Sequence, residues 1–309
     1  MNDIESNLWA LAKEVEPIAS QKAGARRSHN YLRALLDTGQ MATRIRNSYL
    51  SGSYARDTAV RPLDDVDIIF EIDPAAWQTG LLHLRLLPLP ARVLESFANA
   101  IRYRYPVSSV YGQRRSIRLE LEHLDIDVVP AVPVGSDGSA YIWIPDRDSD
   151  AWIKSSPKRH SALAAEVNHI QQGRFKPLVK LLKFWNSNLP ATIRTKSFAI
   201  ETMAVRLFRG VRMDSLEQGA LLFWDFLAHF AYQSNHFKWT QDYGVALGMF
   251  SVSVPDAAGT GSNTVAGMTS AQKTALLEKA RISRDRLLAA QSARLARTML
   301  EHLYNAFRA

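Results

Sequence analysis

The stretch Leu50–Phe70, LSGSYARDTAVRPLDDVDIIF, constrains this chain more than any other. It opens on a turn of small residues, Ser51-Gly52-Ser53. A glycine at the centre can take a positive φ and lets the backbone come close to a ligand. Ser53 offers a hydroxyl, and the free amides of such a turn make a concavity suited to an anion. The stretch ends on Asp65 and Asp67, set in a run of Val66, Ile68, Ile69 and Phe70 that reads as a core strand. On a strand, residues two apart point to the same face. Two carboxylates so placed repel each other unless a cation lies between them. Mg2+ suits the position, since it takes one or two protein carboxylates and keeps its other places for water and substrate phosphates. An anion-holding turn followed by a metal-binding Asp pair implies nucleotidyl transfer.

A second acidic pair lies downstream. In His123–Val132, HLDIDVVPAV, alternation puts Asp125 and Asp127 on one strand face, and either could supply a third carboxylate. Around these strands the pattern predicts a helix over Ile4–Leu36, a strand following Met41–Leu50, and a helix over Ala91–Tyr103. A hairpin is expected to join Ser108–Gln113 to Ser116–Glu122, and a turn at Gly135-Ser136-Asp137-Gly138 to lead into a return strand, Tyr141–Ile144. Ser156-Pro157 is a good helix start, and the domain boundary is expected near residue 160.

The rest reads as mainly helical. Helices are expected over Ser161–Gln172 and Arg174–Asn188, from Thr195 onward, over Leu216–Tyr232, and as one or two helices across Ser270–Phe307 capped near Thr269; Ser251–Met268 reads as a Gly- and Ser-rich loop. Within Arg174–Asn188, Leu178, Val179, Leu181, Leu182 and Trp185 form the apolar side. Lys176, Lys180 and Lys183 share one face, which by spacing alone reads as a solvated stripe.

Gly52-Ser53 followed by Asp65-Val66-Asp67 resembles the signature of the polymerase-β-like nucleotidyltransferase superfamily. The fuller string GSYARDTAVRPLDDVDI resembles the cGAS/DncV-like nucleotidyltransferases (CD-NTases), which make oligonucleotide signals in bacterial CBASS anti-phage defence. Such strings usually carry Gly where Asp57 stands and Ser where Asp64 stands; neither position is a metal ligand in the family. In the family the third acid precedes a short hydrophobic-Pro-Ala string, which selects Asp127 over Asp125. LLKFWN resembles the spine helix whose lysine reaches the triphosphate, and Lys183 is the matching position. Ser197 would meet phosphate and Phe198 would stack on the base. Asn263-Thr264-Val265-Ala266 matches the end of a family string, while Val254-Pro255-Asp256 departs from its start.

The resemblance implies an α+β fold. A mixed-sheet polymerase-β-like core with the N-terminal helix would span residues 1–160, and a helical, OAS-like domain closing the nucleotide cleft would span 161–309. Asp65, Asp67 and Asp127 would hold two Mg2+ ions, with Mn2+ a possible substitute. Gly52, Ser53 and the turn amides would fix the β- and γ-phosphates, and Asp127 would accept the attacking hydroxyl's proton. NTPs, ATP foremost, would be joined into a cyclic di- or trinucleotide that activates a downstream effector, with a regulatory partner protein in some relatives. The same residues leave open a linear oligonucleotide, a tRNA, protein or small-molecule acceptor, and a nucleotide-binding scaffold without catalysis.

Composition sets the frame. A chain of 309 residues with 47% apolar content has room for two domains with packed cores. It has no cysteine, which excludes disulfides, thiolate metal sites and the zinc-thumb insertion of animal DNA-sensing relatives, and fits a reducing cytoplasm. The acidic, amphipathic start MNDIESNLWALAKEVE is unlike a signal peptide, and no apolar run is long enough for a membrane span. The net charge of +8 and pI of about 9.7 favour polyanions. A nucleoside triphosphate accounts for such a balance without a long nucleic acid.

Overall fold

The computed structural model describes residues 3–39, 41–77, 87–134, 140–229 and 252–308, and the backbone of 246–247. The chain divides into two compact units, Pro17–Ser161 and Met1–Glu16 with Ala162–Ala309.

The first unit is built on a mixed sheet of β1 (Ile45–Ser51), β2 (Asp65–Ile72), β3 (Val110–Gly112), β4 (Ile117–Leu121), β5 (Leu124–Pro133), β6 (Ile142–Asp146) and β7 (Ala151–Ser155). The order is β1-β2-β5-β4-β3, with β6 pairing the far end of β5 and β7 pairing β6. Only β2 and β5 run parallel; the other pairs are antiparallel. Strand alternation separates two faces. Val66, Ile68, Phe70, Ile126 and Val128 are buried with Leu32 and Leu36 of one helix, Ala19–Thr38, and Val93, Leu94, Phe97 and Ile101 of another, Pro90–Arg104. The opposite face carries Asp65, Asp67, Asp125 and Asp127 at one end and Ile69 and Val129 further along. The expected hairpin of β3 and β4 forms. The expected turn at 135–138 lies outside the described residues.

Between β1 and β2 a single helical turn, Gly52–Ala55, reverses the chain. Asp57, where the family usually has Gly, sits at φ 57. Aspartate tolerates this left-handed region better than most residues, and β-branched residues hardly enter it. Asp57→Val should therefore cost roughly 1–2 kcal/mol, while Asp57→Gly should be close to neutral. Chemical denaturation of the two variants checks this.

The second unit corrects the expected boundaries. The N-terminal helix is not one element over Ile4–Leu36 but two, Asp3–Glu14 and Ala19–Thr38, because Pro17 interrupts it. The first belongs with the helical unit rather than with the sheet. Its Leu8 and Leu11 are buried. The Glu5 carboxylate accepts the amides of Leu216 and Glu217, at 3.0 Å each, at the start of helix Leu216–His229. Glu16, just beyond it, pairs with Lys180 at 2.7 Å. A helix does start at Pro157, as Ser156-Pro157 implied, and it runs on to Ile170 in place of the one expected over Ser161–Gln172, so the division between the units falls inside it. Next come Phe175–Asn188 and Ser197–Gly210, and, after Leu216–His229, Ser270–Ser292 and Ala296–Phe307. Thr269 caps Ser270–Ser292 in a reciprocal box with Gln272. The segment after Val252 is ordered: Asp256 accepts from the Ala258 amide and the Thr260 hydroxyl, and Arg206 donates to the Pro255 carbonyl. Among the described residues no helix is long and apolar enough to cross a membrane.

Candidate active site

The sheet register brings the acids together. β2 and β5 align in parallel with Asp65 beside Asp125 and Asp67 beside Asp127, while Ser51 of β1 lies beside Asp67. Neighbouring strands stand about 4.8 Å apart, so three carboxylates singled out by the sequence line one end of one sheet face. Gly52 is at φ +70, and a Cβ there would run into the Asp67 carboxylate. The glycine is thus required twice, by its conformation and by the closeness of the acid. Ser53 follows in the same turn, partly exposed.

The electrostatics are those of a site short of positive charge. Burial, then the carboxylates of Asp65 and Asp127, push Asp67 up to about 7. Burial and Asp127 also raise Asp65. Arg56, nearly buried, opposes the shift of Asp67. An all-oxygen donor set with surplus negative charge fits a hard divalent ion. Among the described residues, no three acidic or histidine side chains close around an ion-sized space as they stand. Arg118 of β4 stands opposite Asp127 in the register. Its Nε and Nη2 donate to the two oxygens of Asp127 at 3.0 and 2.7 Å, and its Nη1 donates to Asp125 at 3.1 Å. Sequence reasoning missed Arg118. Arg118 is also the partner of Asp125.

The remaining sequence candidates lie in the helical unit. Lys183, on Phe175–Asn188, is not on a solvated stripe: its side chain is 2% exposed and its Nζ donates to Glu201 at 2.6 Å. Lys180 is buried as well. Only Lys176 of the three is not buried, so the helix is enclosed nearly all round. Ser197 is exposed at the first position of the next helix, and Phe198 beside it is half-buried. Glu201, one turn on, escaped notice because its partner is fixed by the packing of two helices. The structure brings the turn and the three acids together within the sheet unit, and Lys183, Ser197 and Phe198 within the helical unit.

Comparison with known proteins bears on the family and the fold. The chain is 32% identical over 206 residues to a cyclic AMP-AMP-AMP synthase of Acinetobacter sp. (strain ATCC 27244 / 9458), which covers 63% of this chain and 56% of that protein. It is 24% identical over 271 residues to a cyclic AMP-AMP-GMP synthase of Enterobacter hormaechei, covering 65% and 67%. The matched region thus spans little more than half the length of the Acinetobacter relative. E. coli MS115-1 CdnC with ATP has the same fold, at a TM-score of 0.72 and 20% identity over 98% of this chain and 97% of that one. Vibrio cholerae DncV with a linear intermediate is also similar in fold, at 0.63 and 15% over 84% and 68%. Residues 3–168, more than half of the chain, match the Second Messenger Oligonucleotide or Dinucleotide Synthetase domain; the chain belongs to that family, and the resemblance to the cGAS/DncV-like nucleotidyltransferases holds.

Proposed function

We propose that the chain is a template-free, Mg2+-dependent nucleotidyltransferase that joins NTPs into a cyclic di- or trinucleotide messenger for anti-phage defence. The observation that carries this reading is the alignment of Asp65, Asp67 and Asp127 on adjacent strands beside the Gly52-Ser53 turn. Bound divalent ions would lower the pKa of the attacking ribose hydroxyl and offset charge on the leaving pyrophosphate. Asp65, Asp67 and Asp127 are the residues that would hold them. Asp127 would also take the hydroxyl proton. Ser53 and the amides around Gly52 would hold the β- and γ-phosphates, Lys183 and Ser197 would serve the triphosphate, and Phe198 would stack on a base. Adenine is the favoured base, because relatives are named for cyclic AMP-AMP-AMP, cyclic AMP-AMP-GMP and cyclic UMP-AMP products. Closure of the ring follows from keeping the intermediate bound, which holds its two ends at high effective concentration.

The test is incubation of the protein with all four NTPs and Mg2+, phosphatase treatment and mass spectrometry. A cyclic product has no terminal phosphate and survives unchanged. Products that all lose phosphate would refute ring closure and leave nucleotidyl transfer standing. Should no product form, a partner protein is the next addition, since CdnC has been solved in complex with a HORMA protein.

A further inference from the structure

We infer that Arg118 is the resting-state cation of this site: it holds the acids while no divalent ion is present and competes with the ion for Asp127. The inference rests on the metal-dependent reading above, and it concerns a residue to which that reading gives no task. The Arg118 guanidinium reaches three carboxylates on two strands. Nε and Nη2 grip Asp127 at both oxygens, Nη1 bonds Asp125, and Nη2 lies 3.8 Å from Asp65 Oδ2. Two of these three acids, Asp65 and Asp127, are the proposed ion ligands.

The grip is set by the fold. Arg118 stands opposite Asp127 in the antiparallel ladder of β4 and β5, so it cannot drift along the sheet. A planar guanidinium matches a carboxylate at both oxygens and remains charged at any working pH. The Asp127 side chain is 9% exposed and that of Arg118 22%, so water screens the contact weakly. Asp67, beside Asp127 in the register of β2 and β5, lies outside that grip. An incoming ion must therefore share Asp127 with the arginine or take it from it. Arg118 thus positions Asp127 and sets the affinity for the ion, without itself touching substrate.

The test uses Mn2+ as the ion, without nucleotide, on wild type and on Arg118→Met, which keeps the length of the stem and removes the charge. Calorimetry should show Mn2+ binding at least about tenfold tighter in the variant, because a positive charge has left the first neighbours of the ion. The metal-free variant should melt several degrees lower, and Mn2+ should raise its melting temperature more than it raises that of wild type. Arg118→Lys, which retains charge but not the two-oxygen grip, should fall between them. On the wild type itself, the Arg118 Nε–H signal in nitrogen-15 NMR should be protected from solvent exchange and should shift on addition of Mg2+. Equal or weaker Mn2+ binding by Arg118→Met overturns the inference, as does an Nε–H signal indifferent to Mg2+ if the variant does not fold. A wild type that binds no Mn2+ with or without ATP would instead overturn the metal-dependent reading.

Discussion

Asp67→Asn is expected to abolish turnover and yet to raise the melting temperature of the metal-free protein. Turnover falls because a neutral amide neither holds a divalent ion as a carboxylate does nor supports the charge balance of the transition state; a loss of at least about a thousandfold is expected when one member of a unit is removed. Stability rises because the ionised carboxylate is a net cost here. Asp67 is buried beside Asp65 and Asp127, and its upward shift to about 7 means that the fold disfavours the charged form. An acid of raised pKa costs the fold stability as the pH rises from its ordinary value through its folded value, and the full cost is present above the latter. Measured above neutral pH, the gain should be on the order of 1 kcal/mol, or two to four degrees. Mg2+ with ATP should raise the melting temperature of wild type by mass action and leave the variant unmoved. The same change at Asp127 should also abolish turnover, but it should lower stability, since Arg118 would lose the partner it grips at both oxygens. A variant at either position that keeps a tenth of wild-type activity would remove that acid from the mechanism.

Lys183→Ala is expected to destabilise the helical unit before it says anything about nucleotides. The Lys183–Glu201 pair is 2.6 Å long, with side chains 2% and 4% exposed. Removing one partner leaves the other charge buried, which costs roughly 3–5 kcal/mol, and in a unit of this size lowers the melting temperature by roughly ten degrees. Replacing both residues, as Lys183→Met with Glu201→Leu, removes the stranded charge and should recover most of the loss, because buried ion pairs rarely outdo apolar packing. That double variant is the fair test of the phosphate role. If Lys183 exchanges Glu201 for a triphosphate, the folded double variant should use NTPs roughly ten- to a hundredfold less well, the worth of one charge-assisted hydrogen bond. Wild-type kinetics in the double variant would make the pair purely structural.

The parts of the site legible in the sequence are those set by short-range rules. Asp65 with Asp67, and Asp125 with Asp127, share a face because strand side chains alternate, and that period survives any register. The Gly52-Ser53 turn was legible from glycine's conformational range. Arg118 was not legible, because nothing in Ser116–Glu122 says which residue of β5 lies opposite it. A one-residue slip would have sent it to the other face. Lys183 illustrates the same limit. Its spacing from Lys176 and Lys180 describes one helix face but not what covers that face, and Glu16 and Glu201 cover it from 164 and 18 residues away. The amphipathic stripe of Asp3–Glu14 foretold a buried helix without naming the core that buries it.

The grouping of that first helix with residues beyond 161 has a consequence in time. This helix is synthesised before the sheet unit, yet the amide of Leu216, which its Glu5 receives, follows 211 positions later. At 5–20 residues per second, synthesis takes roughly ten to forty seconds to supply it. The sheet unit, contiguous from Pro17 to Ser161, can close during that interval. Leu8 and Leu11 meanwhile wait in water, and for that period the nascent chain offers a chaperone an apolar handle that the finished protein conceals.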